Sequence, residues 1–257
     1  MKSIGADPEL FVRDMAGSIV PGIGKIGGEK REPLQIGGGV GVQEDNVLLE
    51  FTLNPCSAER FPRAINLAMQ RVRSYAASKG LVPVVKASHL FRKEVLDSYG
   101  PKALEFGCDP DYNAYSNSVN PSPNPDTCLR SAGGHVHVGT SKDALSVVQA
   151  MDLLLGLPSV IMDDDDRRKQ LYGKAGAHRI KPYGVEYRTL SNFWLKNSSL
   201  IKWVASSTEK AESLAEGARV MMVNHGGIAR LEEIINNNDK AQAWYVLNRL
   251  GIPTEAV

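Results

Sequence analysis

The nine residues SAGGHVHVG, 131–139, constrain the fold more tightly than any other stretch of this chain. Alternate side chains of an extended strand share a face, so Val136 and Val138 point one way while His135 and His137 point the other. The valines call for a core. The histidines need a different environment, either a neighbouring carbonyl that each ring bonds or a metal or phosphate site; the nine residues leave both open.

Three further β-type runs carry charge where a core strand would not. ADPELFV supplies Asp7 and Glu9, which share parity if the chain stays extended through Pro8. VQEDNVLLEFTL supplies Glu44 and Glu50, also of one parity, with Val47, Leu49, Phe51 and Leu53 on the opposite, apolar side. YGVEYRTL places Glu186 and Arg188 together, with Val185 and Tyr187 facing away. Singly, each fits the wet side of an antiparallel sheet. Together they predict a concave face on which five carboxylates and two imidazoles converge, and like charges so placed repel unless cations sit among them. Oxygen ligands with a histidine suit Mg²⁺ or Mn²⁺. Arg179 and Arg188 then offer positive charge to a phosphate, the arrangement that phosphoryl transfer requires.

The chain is long enough for one large domain: 257 residues, 42% of them hydrophobic. Thirty basic against 29 acidic side chains leave a net charge of +1, so no global field argues for nucleic acid or an anionic membrane. Cys56, Cys108 and Cys128, odd in number and widely spaced, fit free thiols in a reducing compartment. The amino-terminal MKSIGADPELFV lacks a signal-type apolar stretch, and no apolar run has the length of a membrane span. The expectation is a soluble, cytoplasmic protein.

Strands are expected at 9–13, 46–53, 82–86, 134–139 and 184–190. Helices are expected at 58–79, where Phe61, Ile65, Ala68, Val72 and Tyr75 fall at helical spacing, and at 142–155, 198–216, 228–236 and 240–249. Strands interrupted by helices, without regular alternation, predict an α+β fold built on a curved, mostly antiparallel sheet flanked by helices. Three loops stand out. Residues 21–41 contain Gly22, Gly24 and Gly27 in G-x-G-x-x-G order, but no strand-to-helix context supports a nucleotide loop. Residues 107–130 begin with Asp109, Asp111 and Asn113 like a calcium loop, yet Ala114 and Asn120 occupy its sixth and twelfth positions and exclude it. Residues 163–179 open on four aspartates that read as solvated surface.

In their order, GADPELFV, GIGKIGG, VQEDNVLLEF, GCDPDYNAYS, GGHVHVG and YGVEYRTLSNFW resemble the phage-encoded carboxylate-amine (COOH.NH2) ligases of the glutamine synthetase and glutamate-cysteine ligase superfamily. The resemblance covers about 1–196, which it marks as the ligase-like catalytic core; 197–257 would be a helical part packed on the same domain. It implies ATP and divalent cations, Mg²⁺ or Mn²⁺, on the concave side of the sheet. The metal ligands would be Asp7, Glu9, Glu44, Glu50, His135 and Glu186, with parity favouring Glu44 over Asp45 as the partner of Glu50. His137, Lys174, Arg179 and Arg188 would face the nucleotide, Arg188 and Glu50 being the residues on which catalysis depends. Lys25, Asp109, Asp111 and Asn113 would meet substrate, with loops 21–41 and 107–130 as candidate lids.

The implied reaction is attack of a carboxylate on the γ-phosphorus of ATP, giving an acyl phosphate that an amine then displaces. The partners would be small-molecule or peptide carboxylates and amines, and the compartment the cytoplasm, that of the host if the gene is phage-borne. Oligomeric state stays open. Two other classes compete. His-x-His on a strand also begins metal-dependent amidohydrolase sites, which need further histidines, and here only His89, His178 and His225 remain. A non-catalytic binding or structural protein on the same scaffold is the third, against which the retained carboxylates argue.

Overall fold

The computed structural model describes residues 1–106, 110–124, 127–224 and 227–253. Its strands run β1 (Ser3–Ala6), β2 (Glu9–Arg13), β3 (Ile19–Val20), β4 (Leu34–Gln35), β5 (Val40–Asp45), β6 (Leu48–Leu53), β7 (Val82–Val84), β8 (Ser88–Leu90), β9 (Tyr112–Asn113), β10 (Leu129–Ser131), β11 (Val136–Gly139), β12 (Ala177–Lys181) and β13 (Gly184–Tyr187). The α-helices are α1 (Phe61–Ser78), α2 (Lys93–Ser98), α3 (Ala144–Met151), α4 (Leu157–Met162), α5 (Ser198–Asn224), α6 (Ile228–Asn236) and α7 (Lys240–Leu250).

Two large antiparallel sheets form a curled half-barrel, and β8 pairs with β10 in a third, two-stranded sheet, so the expected α+β class holds. One sheet has the order β1-β11-β13-β12-β9, the other β3-β2-β6-β5-β4 with β7 also paired to β2. The chain passes from the first to the second through Asp7 and Pro8, between β1 and β2. That joint is tied by backbone bonds from Glu9 N to Gly133 O and from Phe51 N to Pro8 O. Asn192 Nδ2 donates to Glu9 O at 2.7 Å, and Trp194 Nε1 to Gly134 O at 3.1 Å, so the segment after β13 clamps the same place.

Burial follows strand parity. Val136, Val138, Val185 and Tyr187 are fully buried on one face, in a single core with α3 and the upper part of α5. The pairing Gly5↔His137↔Glu186↔Arg179 places the polar side chains of β11, β13 and β12 on the other face. Helix α1 buries Phe61, Ile65, Ala68, Met69, Val72 and Ala76, the stripe its spacing predicts.

The helix expected at 142–155 continues to Met162. A π-helical turn, Asp152–Gly156, joins α3 to α4. Pro158 has no N–H to offer Leu154 and its ring crowds that carbonyl, which accounts for the local loosening. The combined run, 144–162, is long and apolar enough to cross a membrane, but 78% of it is buried inside the protein, as befits a core helix.

The largest departure from expectation is at 40–53, where a single strand from 46 is in fact the hairpin β5–β6, its turn at Asn46 and Val47. Strand β12 was also hidden, in the loop expected at 163–179. The aspartates there are not all solvated: Asp163 accepts from Ser191 and Asp165 from Ser88, each at 2.6 Å.

Candidate active site

The joint between the sheets gathers the charged residues. Asp7, His135 and Glu186 present ligand atoms within 4.8 Å of one another, and Glu9, Asp45 and Glu50 do the same. The imidazole of His135 stands between the two sets, its Nδ1 3.4 Å from Asp7 Oδ1 and its Nε2 3.9 Å from Glu9 Oε1. Register explains the convergence, since Glu9 pairs with Glu50 across β2 and β6, and His137 with Glu186 across β11 and β13.

Glycines 133 and 134 make the approach possible. A methyl on Gly133 would overlap the His135 ring, and one on Gly134 would meet the Ser191 carbonyl and the Trp194 indole. Gly133 N also donates to Glu9 Oε2 at 2.6 Å, tying β2 to the approach of β11.

Electrostatics divide the two sets. Burial pushes the Asp7 carboxyl up, but His137 and His135 outweigh it and hold Asp7 well below the usual range. Burial and Asp7 push Glu186 up; Arg188, His135 and Lys181 reverse this and hold it at about 2. In the second set Arg188, with Lys30 at Asp45, offsets the push on Asp45 and Glu50 only in part. Burial, then Glu9, pushes Asp45 up to about 7, and burial with Asp7, Asp45 and Glu9 raises Glu50 well above its ordinary value.

Both sets fit hard divalent cations. Asp7 Oδ1 and Glu186 Oε2 are buried and make no hydrogen bond, only ion-pair contacts, and the donors are carboxylate oxygens with one imidazole. Repulsion among Glu9, Asp45 and Glu50 is what a cation would remove.

Arg188 contacts Glu186 Oε1 and lies 3.3 Å from His135 Nδ1. Arg179, from β12, approaches Glu186 Oε1 at 3.7 Å and donates to Pro110 O. Both arginines line a cavity that opens over Glu9, Asp45 and His135, with Asp111 buried in its wall. His137 has Nε2 3.0 Å from Asp7 Oδ1 and Nδ1 against the Tyr183 hydroxyl, so it supports Asp7 from the rim.

Several expected residues stand elsewhere. Glu44 is not with the carboxylates: its Oε1 accepts from Ile26 N and Gly27 N, and its Oε2 pairs with Lys102 at 3.3 Å. The parity argument failed because the strand reverses at Asn46. Gln43 pairs with Glu50 and Asp45 with Leu48, so odd-numbered residues of β5 share a face with even-numbered residues of β6. Lys25 lies over the Tyr99 ring, 5.6 Å from its centroid, away from the cavity. Loop 21–41 is bound to α1 through Tyr75 and Ile26 and does not border the cavity, whereas Glu105, Phe106 and Asp111 of the 107–130 region and its approach do. Lys174 is absent from the cavity wall; its carbonyl accepts from Ala177 N and Thr189 Oγ1. Asn113 donates to Glu232 and caps the turn at Tyr115 and Ser116. Asp109 lies outside the described residues.

Parity set Asp45 aside in favour of Glu44, and Lys181 and Asp152 were missed from sequence altogether. Asn46, at φ 53°, marks the turn that would have placed Asp45, since a two-residue loop with Asn at positive φ between apolar runs signals a hairpin. Fully buried Asp152 accepts from Tyr187 Oη at 2.7 Å, Tyr115 Oη at 2.9 Å, Thr189 Oγ1 at 3.2 Å and Gly176 N. It binds the back of β13, which carries Glu186 and leads into Arg188.

The remaining described histidines do not extend the site. His89 packs against Phe11 and Phe91, and His178 bonds the Gly176 carbonyl, so no amidohydrolase-type cluster forms among the described residues.

No curated protein matches the chain. Among solved structures, a GmaS/ADP complex in its conformation 1 is similar at a TM-score of 0.39 and 11% identity, over 82% of this chain and 55% of that one. This chain thus spans little more than half of that protein's length. Residues 129–222, which carry His135, His137, Glu186 and Arg188, match the family model of the Phage phiEco32-like COOH.NH2 ligase-type 2, the ligase family to which the order of motifs points.

Proposed function

We propose that the protein is an ATP- and divalent-cation-dependent ligase that joins a carboxylate to an amine through an acyl phosphate, with 1–196 as its catalytic part and 197–257 as helical support. The observation that carries this reading is the pair of ligand sets bridged by His135 beside two cavity-lining arginines.

Asp7, His135 and Glu186 would hold one cation, and Glu9, Asp45 and Glu50 a second. When bound, such ions neutralise phosphate charge and fix the reacting groups in line. Arg188 is held at the site by Glu186 and His135, and its fixed charge stabilises the oxygens of the group in transfer. Arg179 contacts the phosphates from the adjacent strand. A carboxylate oxygen attacks the γ-phosphorus, ADP leaves, and the amine nitrogen then displaces phosphate from the acyl carbon. Water must be excluded between the two steps; Glu105, Phe106 and Asp111 on one side and Arg130, Ser131 and Gly133 on the other border that space.

The test is trapping. With Mg²⁺ and ATP, hydroxylamine should convert the correct carboxylate from a pooled set into a hydroxamate with release of ADP, and mass spectrometry should find an amide only when carboxylate and amine are both present. ADP release at one rate with and without any carboxylate would refute the ligase.

A further inference from the structure

Three cationic side chains meet at Glu186. Arg188 and Arg179 reach its Oε1, and Lys181 Nζ lies 2.8 Å from its Oε2. The lysine contact lacks hydrogen-bond alignment, since Oε2 has no hydrogen-bond partner although it is buried. Lys181 ends β12, one residue past Ile180, on the same face as Arg179, and about a third of its side chain is exposed. No other acidic side chain lies within ion-pair reach of Lys181 among the described residues.

Glu186 is also a member of the set Asp7, His135 and Glu186. A divalent cation there would take Oε2 or repel the ammonium that now covers it. Lys181 would then need another anion, and a polyphosphate is the chemistry able to accept a displaced ammonium beside two arginines. We propose that Lys181 is an exchangeable counter-ion: it competes with the divalent cation for Glu186 while nucleotide is absent, and swings to the triphosphate of ATP when both are bound.

The inference rests on the ligase reading and adds a residue and an order to it. Lys181, like Lys174, is absent from the cavity wall, but it reaches Glu186, and so takes the part that sequence had suggested for Lys174. It also makes cation and nucleotide binding favour each other, because each removes a cost that the other would meet alone.

The test compares wild type, Lys181→Met and Lys181→Arg by titration of Mn²⁺, and by titration of a non-hydrolysable ATP analogue in saturating Mn²⁺. Lys181→Met should bind Mn²⁺ alone several-fold more tightly than wild type, and the analogue about tenfold more weakly; Lys181→Arg should stay near wild type in both. The change of sign separates exchange from structural damage, which would weaken both ligands together and overturn the proposal. Wild-type protein binding neither ligand would overturn the ligase reading itself; wild type binding both, with Lys181→Met unchanged, would overturn only the role of Lys181.

Discussion

Gly133→Ala tests whether the glycine pair before the histidines exists to let the imidazole in. A β-carbon built on Gly133 would stand 2.8 Å from both Cδ2 and Cε1 of His135. Carbon atoms rest at about 3.5–4.0 Å, so the ring must shift by roughly 1 Å. It has no free direction, because Arg188 Nη1, Asp7 Oδ1, Glu186 Oε1 and Glu9 Oε1 stand 3.3, 3.4, 3.8 and 3.9 Å from its nitrogens. Overpacking of this kind costs about 1–3 kcal/mol. For a chain of this size that lowers Tm by roughly 2–12 °C, at about 2–4 °C per kcal/mol. A displacement of about 1 Å in a ligand or positioning group also lowers turnover on the order of a hundredfold. Calorimetry and Mn²⁺ titration measure the two effects. The decisive control is the double variant Gly133→Ala with His135→Ala, which removes the ring and makes room for the methyl group. It should be more stable than the sum of the two single losses predicts, by about 1 kcal/mol or more. Strict additivity would show that the methyl and the imidazole never meet.

Two further outcomes follow from the hairpin and from the buried carboxylate behind β13. Asp45→Asn should weaken Mn²⁺ binding about tenfold or more, whereas Glu44→Gln should leave it near wild type and instead speed proteolysis within 21–41, the loop whose Ile26 and Gly27 amides Glu44 accepts; the reverse pattern would restore the simple parity argument. Burial raises the Asp152 carboxyl to about 6 despite four donors, so the folded state holds a proton there that the unfolded chain, near 3.8, releases earlier. The wild type should therefore lose stability relative to Asp152→Asn as pH rises from about 4 to about 6, by about 3 kcal/mol in all, and the difference should be flat above that. A difference independent of pH in denaturant melts would contradict the assignment.

Local periodicity carried the longer helices and the strands β2, β6, β7, β11 and β13. The stripe of α1 and the alternation of valine with histidine in β11 are each set by which side chains can leave water, and burial agrees with both. What a scan for alternation passes over are the places where the chain turns without a glycine or proline break. The hairpin turn at Asn46 and Val47 is two residues long and contains no glycine or proline, so VQEDNVLLEFTL scans as one strand. The π turn at Asp152 depends on Pro158 acting back on Leu154, and its consequence, a buried carboxylate under Tyr187, involves residues 35 apart in sequence. Lys181 was missed for another reason: a lysine near a strand end is ordinary, and only the pairing of β12 with β13 shows that it faces Glu186.

The acidic cluster itself is the part of the site that ordinary folding forces oppose. Asp7, Glu9, Asp45, Glu50 and Glu186 repel one another, yet the chain cannot separate them by slipping its strands. Moving β11 by one residue would turn Val136 and Val138, both fully buried, toward the polar side and drive His135 and His137 into the core. Each exposed valine costs about 1.5–3 kcal/mol, and each unpaired imidazole costs a further amount when buried. The Glu9↔Glu50 pair is fixed in the same way by Leu10 and Leu49, its fully buried neighbours on the opposite face. Apolar packing behind the strands therefore imposes a charge density in front of them that water alone relieves poorly, and it does so from two sheets at once. On the proposed reading divalent cations relieve this field, so Mg²⁺ or Mn²⁺ should raise the melting temperature of the wild type and do so less for Asp45→Asn.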